Sequence, residues 1–252
     1  MYVILAALIW FPDFSGTASV AHDLGLDEQL RGRFSLSSQI GIVQEPTWHL
    51  GVFVDHLTYV RSNRRNETPF RISPEQIHFP VGAKLSFPMD TETGRWGLLV
   101  KHQSNHDIDS SDQSLARETL AYEYYALFFE LNRTNVDVGV YYDRGTRLSG
   151  RQQVWPFDYL LAGANLFVEW PWTSTISSQI RLKLNVHRNE NTAVSYFDFG
   201  HALDLGWRFS GVRASSRLFL SMNRVNNYQF LGDQPRNLLL LGLAISSIDS
   251  KR

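Results

Sequence analysis

The chain contains no cysteine. That excludes a disulfide scaffold, a thiolate metal site and a cysteine nucleophile, and it suits a protein that crosses an oxidising compartment. An excess of one charge is also missing: 24 Lys and Arg stand against 25 Asp and Glu, a net of -1. A strongly basic nucleic-acid binder and a long acidic tail are thereby excluded. Charged residues make up only 19%, below the ~25% of an ordinary soluble domain. Aromatic residues reach 13%, too many for a disordered chain. Long apolar runs are absent, and beyond residues 3–10 nothing approaches the ~18 residues of a membrane helix.

The one short apolar block, Val3 to Trp10, is followed by Ala18-Ser19-Val20-Ala21. This pairing has the form of the apolar stretch and small-residue cleavage site of a secretory signal, without the basic residues that usually precede it. The reading predicts a signal peptide over residues 1–21 and a single domain over 22–252.

What the chain has in abundance is alternation. Period two is the mark of strands with two unlike faces. Over 175–187, Ile176, Ile180, Leu182, Leu184 and Val186 share one parity, while Gln179, Arg181, Lys183, Asn185 and His187 fill the other. Val136, Val138, Val140 and Tyr142 oppose Asp137 and Asp143; Phe197, Phe199, Leu203, Leu205, Trp207 and Phe209 oppose Asp198, Asp204 and Arg208; Leu218, Leu220 and Met222 oppose Arg217, Ser221 and Asn223. Weaker versions run near 33–43, 48–60, 76–87, 95–104, 118–131, 157–170 and 236–247. Many of these segments exceed the ~5–6 residues of a typical soluble strand. Lipid offers no hydrogen bonds to an open sheet edge, so an outward apolar face with a polar interior demands a closed barrel. The predicted fold class is therefore all-β, an antiparallel transmembrane β-barrel in the bacterial outer membrane. Trp48, Trp96, Trp155, Trp170, Trp172 and Trp207 fall near strand ends, where interfacial girdles sit.

Tight links at 44–47, 88–94, 132–135, 171–173 and 210–212 alternate with longer polar ones at 61–75, 105–117, 144–154 and 224–235, and a shorter one at 188–192. Short turns belong to the periplasm and long loops to the exterior. Eleven strands are visible where an even number is expected. A poor first strand within 17–30 gives twelve, the favoured count; leaving 33–43 outside the wall gives ten.

The segment Lys101-His102-Gln103-Ser104-Asn105-His106-Asp107 closes the strand that begins near Arg95. His102 and Ser104 continue the apolar parity of Trp96, Leu98 and Val100, which turns both toward lipid at the extracellular end. Polar groups facing hydrocarbon are costly, so their placement calls for an explanation. Ser104 is the candidate nucleophile and His102 its general base. Glu118, at the top of the next strand, shares parity with Tyr122, Tyr124, Ala126 and Phe128; read as outward, it is the candidate acid that orients the ring. A backbone N–H of Asn105 or His106 is the expected oxyanion donor. Asp107, Asp109 and Asp112 could supply oxygen ligands to calcium, although no EF-hand spacing follows them. Glu123, Arg181, Lys183, Asp198, Asp204, Arg208 and Arg217 are assigned to the lumen.

His102-x-Ser104-Asn105 resembles the motif of two outer-membrane acyl-ester hydrolase families, outer-membrane phospholipase A and the lipid A 3-O-deacylase. Both carry His and Ser two apart on an outward strand, with a third polar residue on the adjacent strand: an Asn in the phospholipase, a Glu in the deacylase. Glu118 is similar to the latter, although it lies fourteen residues past Ser104 and Ala116 holds the usual place. His106 stands where the phospholipase has Gly. The resemblance implies an acyl-ester hydrolase acting on a phospholipid or lipid A. The phospholipase side implies a twelve-stranded, calcium-dependent homodimer, and the deacylase side a smaller, metal-free, eight-stranded barrel. The alternative of another class is a non-enzymatic barrel, either a narrow porin or a structural protein.

Overall fold

The computed structural model describes residues 14–25, 30–62, 72–90, 94–107, 119–143, 158–189, 195–211, 214–225 and 236–247. Every segment that alternates in sequence is a strand. They are β1 (Phe14–Asp23), β2 (Leu30–Gln44), β3 (His49–Ser62), β4 (Ile72–Pro88), β5 (Gly94–Asp107), β6 (Thr119–Leu131), β7 (Thr134–Asp143), β8 (Asp158–Pro171), β9 (Ile176–Asn189), β10 (Ser195–Ser210), β11 (Ala214–Val225) and β12 (Arg236–Ser247). Each pairs antiparallel with its neighbours in sequence, and β1 pairs with β12 from Thr17↔Ser246 to Asp23↔Leu240, closing a twelve-stranded barrel.

The first strand resolves the odd count. β1 pairs on its other side with β2, from Phe14↔Ile40 to His22↔Gly32, so the 33–43 segment lies inside the wall and the ten-strand option falls. The β1–β12 pairing is the seam of the barrel. Asp23 helps to fasten that seam, with Oδ1 accepting from the Leu239 N–H and Oδ2 from the Gly25 N–H, both at 3.0 Å.

Lipid-facing residues form the apolar parity on most strands. Val138 and Val140 are each 58% exposed and Tyr142 62%, while Leu203, Leu205, Trp207, Leu218, Leu220, Leu241 and Leu243 are also exposed. Trp48 precedes β3 and Trp96 opens β5; Trp170 and Trp172 flank the end of β8, and Trp207 lies near the end of β10. All five therefore gather at the end of the short turns, as a periplasmic girdle; Trp155 lies outside the described residues. The tightest of those turns, between β6 and β7, places Asn132 at φ 52, a left-handed conformation that Asn tolerates.

The interior is filled. Tyr122, Tyr124, Phe128 and Tyr141 pack with Leu99 and Ala126, while Tyr59, Phe219, Val225, Leu238 and Leu240 form a second cluster. Several polar groups of the interior pair with one another, as a low-dielectric interior favours. Asp204 accepts from Arg181 and Ser221 and lies near Arg217; Glu169 accepts from Arg208; Lys84 Nζ meets Glu130 Oε1 at 2.7 Å. Tyr124 donates to Asp137 Oδ1 at 2.6 Å.

A candidate active site on the outer wall

The site begins with the parity of β5. Trp96, Leu98 and Val100 face outward at 42, 50 and 44% exposure, while Leu99, Gln103 and Asn105 are buried against the interior. His102 and Ser104 continue the outward row and are half-buried. They lie on one face, ~6.5–7 Å apart along the backbone. On the inner side of the same segment Gln103 Nε2 donates to Asn105 Oδ1 at 3.0 Å, which braces the strand beneath the two outward residues.

The carboxylate that lies beside His102 comes from β6 and is Glu123. His102 pairs with Glu123 and Ser104 with Ala121 across β5 and β6. His102 Nδ1 lies 3.0 Å from Glu123 Oε1, with side-chain exposures of 38% and 12%. Cross-strand partners lie on the same face of a sheet, so Glu123 faces outward beside the imidazole and is not a lumen residue. The parity that turned Glu118 outward runs the other way: Tyr122, Tyr124 and Phe128 are buried in the interior, whereas Tyr125, Leu127 and Phe129 are exposed to lipid. Glu118 itself lies outside the described residues.

This geometry has a definite chemical meaning. With a carboxylate against Nδ1, the ring carries its proton there and presents a basic Nε2 on the side left for Ser104. No His102–Ser104 hydrogen bond is formed in the free protein, and such bonds often tighten only when substrate enters. The backbone of Asn105 pairs with His78 on one side and Leu120 on the other, and that of His106 with Ile77 and Thr119. Strand N–H groups lie in the plane of the sheet, so neither N–H is aimed along the outward normal while the ladder is closed. Of the expected calcium ligands, Asp107 is the last residue of β5, and Asp109 and Asp112 fall outside the described residues. Among the described residues no group of three or more His, Cys, Asp or Glu gathers at metal-binding distance.

No protein-family model matches the chain, and no curated protein matches its sequence. Solved structures match its shape. Outer membrane phospholipase A from Escherichia coli aligns with a TM-score of 0.50 at 14% identity, over 98% of this chain and 97% of that one. The chain is an outer-membrane β-barrel. A Salmonella typhi outer membrane phospholipase, a dimer with bound calcium, aligns at 0.51 and 12% identity over 94% and 91% of the two chains. An outer membrane channel from Pseudomonas putida F1 aligns at 0.55 and 11% identity over 93% and 94%. At such identities what the barrel shares with these proteins is the fold, and the fold hosts enzymes and channels alike.

Proposed function

We propose that this outer-membrane barrel is a serine esterase that hydrolyses an acyl ester of a membrane lipid, a phospholipid or lipid A, at its outer wall. The observation that carries the reading is the 3.0 Å contact between His102 Nδ1 and Glu123 Oε1, with Ser104 next along the same lipid-facing row. Polar side chains that look into a bilayer near a nucleophile are functional by default. The E. coli protein of this fold is a phospholipase and the P. putida one a channel, so the choice rests on this wall.

In the proposed reaction Ser104 Oγ attacks the ester carbonyl carbon while His102 Nε2 takes its proton. Glu123 stabilises the imidazolium that forms. The tetrahedral intermediate collapses, its C–O bond breaks, and the departing alcohol takes the proton from His102. Water then attacks the Ser104 acyl ester with the same proton relay and releases the fatty acid. The N–H of Asn105 or His106 would meet the oxyanion, which requires a ladder bond near the top of β5 to open on binding. The outward site lets the acyl chain stay in the bilayer while only its ester reaches Ser104. Asp107, Asp109 and Asp112, carried just past the nucleophile, are the residues that would offer oxygen ligands to calcium. Pairing of two barrels would add a second wall to the site.

The test is ester hydrolysis by the refolded chain and by Ser104→Ala. Turnover in the wild type and loss of at least a thousandfold in the variant are expected; equal turnover removes Ser104 from the mechanism. The channel reading predicts conductance across a planar bilayer without ester turnover. The packed tyrosines and paired charges of the interior weigh against it.

A further inference from the structure

A second imidazole faces the bilayer on this wall, and the hydrolase reading leaves it unused. His56, on β3, has its Nε2 2.5 Å from Thr58 Oγ1. The ring is half-buried and Thr58 is 8% exposed. Phe34 and Phe79 stand edge-on to the imidazole, with centroids 5.9 and 4.6 Å away. The pair repeats the spacing of His102 and Ser104, a ring followed two residues later by a hydroxyl on the same face.

Position makes the repetition meaningful. Val54 pairs with Val81 and Leu57 with His78, which sets His56 opposite Phe79, and Phe79 pairs with Ser104. Two strand spacings, about 10 Å, therefore separate the two pairs. Both strands ascend from short turns. His56 and Thr58 stand seven and nine residues above the start of β3 (56 − 49 and 58 − 49). His102 and Ser104 stand eight and ten above the start of β5 (102 − 94 and 104 − 94). The pairs are thus level in the bilayer to within about one residue, ~3.3 Å, with the exposed Phe79 ring between them.

Nδ1 is the ring nitrogen that His56 leaves for a ligand. It carries an N–H when the Thr58 hydroxyl donates to Nε2, and again when the ring is protonated. At the depth where Ser104 meets an ester, the acceptor chemistry available to that N–H is the carbonyl of another acyl linkage. We propose that His56 is a second anchoring point for the lipid, donating from Nδ1 to the carbonyl of a further ester or amide about 10 Å from the scissile one. This rests on the hydrolase reading and narrows its substrate. In a two-chain glycerolipid the ester groups sit on adjacent carbons, too close together to reach both pairs. The substrate class is a lipid whose acyl chains are spread over an extended, multi-unit headgroup.

Two measurements on the refolded full chain test this. The first compares turnover of a four-chain lipid (a tetra-acylated glucosamine disaccharide, or diphosphatidylglycerol) with that of two-chain phosphatidylglycerol. In His56→Leu and in Thr58→Val, which keeps the ring but loses its partner, the four-chain to two-chain ratio is expected to fall about fivefold, the worth of one hydrogen bond. An unchanged ratio overturns the proposal. The second uses Ser104→Ala labelled with ¹⁵N-histidine in maltoside micelles. The His56 ring resonance, identified by its loss in His56→Leu, is expected to shift with a four-chain lipid and not with phosphatidylglycerol. No shift with either four-chain lipid, or equal shifts with all three, overturns it. A wild type that cleaves no ester ends the hydrolase reading, while the resonance still decides the role of His56.

Discussion

Replacing Glu123 separates the structural assignment of the acid from every other account of the site. Its Oε1 receives Nδ1 of His102 at 3.0 Å, and the carboxylate is only 12% exposed. A hydrogen bond to a charged group contributes about 1.5–3 kcal/mol, against about 0.5–1.5 for a neutral one. Each ~1.4 kcal/mol lost from the transition state is tenfold in rate. Glu123→Ala removes the whole interaction and should lower kcat about ten- to hundredfold, with KM little changed, because the acid touches the base and not the lipid. Glu123→Gln keeps an acceptor oxygen but no charge. It should retain more activity than the alanine variant, down about tenfold from wild type. The assay is release of fatty acid from mixed micelles by refolded protein, with folding checked by heat-modifiable electrophoretic migration. Full activity in Glu123→Ala alongside an inactive Ser104→Ala, or a loss that follows Glu118→Ala instead, would refute the assignment.

The wall and the interior make further predictions. Val138, at 58% exposure in β7, should face the hydrocarbon, so Val138→Arg is expected to destabilise the barrel by about 2–4 kcal/mol in lipid, read as a lower urea midpoint of refolding into vesicles. A neutral effect would mean that this parity is not lipid-facing. Asp204, 4% exposed, holds Arg181 and Ser221 and lies near Arg217. Asp204→Ala leaves the buried Ser221 hydroxyl and the nearby Arg217 without their carboxylate and is expected to cost about 1–3 kcal/mol in the same titration; a change within the noise of the midpoint would show that water, not the carboxylate, solvates those groups.

The barrel was legible in sequence because most strands are apolar on one parity and polar on the other. Strands such as β7, β9, β10 and β11 show the pattern without ambiguity, and the turns between them are where Pro, Gly and Asn interrupt it. β1 was obscured because Ser15, Gly16, Thr17, Ala18 and Ser19 carry little hydrophobic contrast. Its small polar side chains reach both neighbouring strands: Thr17 meets Ser246 of β12 at 2.9 Å, and Ser19 meets Ser35 of β2 at 2.5 Å. The outward place of Glu123 on β6 was hard to read for the opposite reason, since that strand is largely apolar on both faces. Its inward parity is aromatic because tyrosines fill the lumen beside Asp137 and Asn185, to which Tyr124 and Tyr141 donate. Hydrophobicity alone could not choose between the faces. The two-residue turn could have done so: Leu131 pairs with Thr134, which carries the register up through Leu127↔Val138 and Tyr125↔Val140 to Glu123↔Tyr142. β7 has an unambiguous outward face, and cross-strand partners share a face.

That register also explains why polar residues deserve different readings on the two sides of this wall. Inside, Asp204, Glu169, Glu130 and Asp137 each have a donor from another strand, one or two strands away, and their presence is accounted for by folding, since an unpartnered carboxylate there would be far more costly than the pair. Outside, a hydrogen bond between two side chains does not explain why either is there, because leucine at both positions would suit hydrocarbon better. His102 with Glu123 and His56 with Thr58 are both of this second kind, on the same quadrant of β3 to β6 and at one depth. Stability therefore favours removing these pairs, so a variant with apolar residues in their place should fold at least as well as the wild type while losing lipid turnover. Pairs retained only for packing would show the reverse, lower stability with catalysis intact.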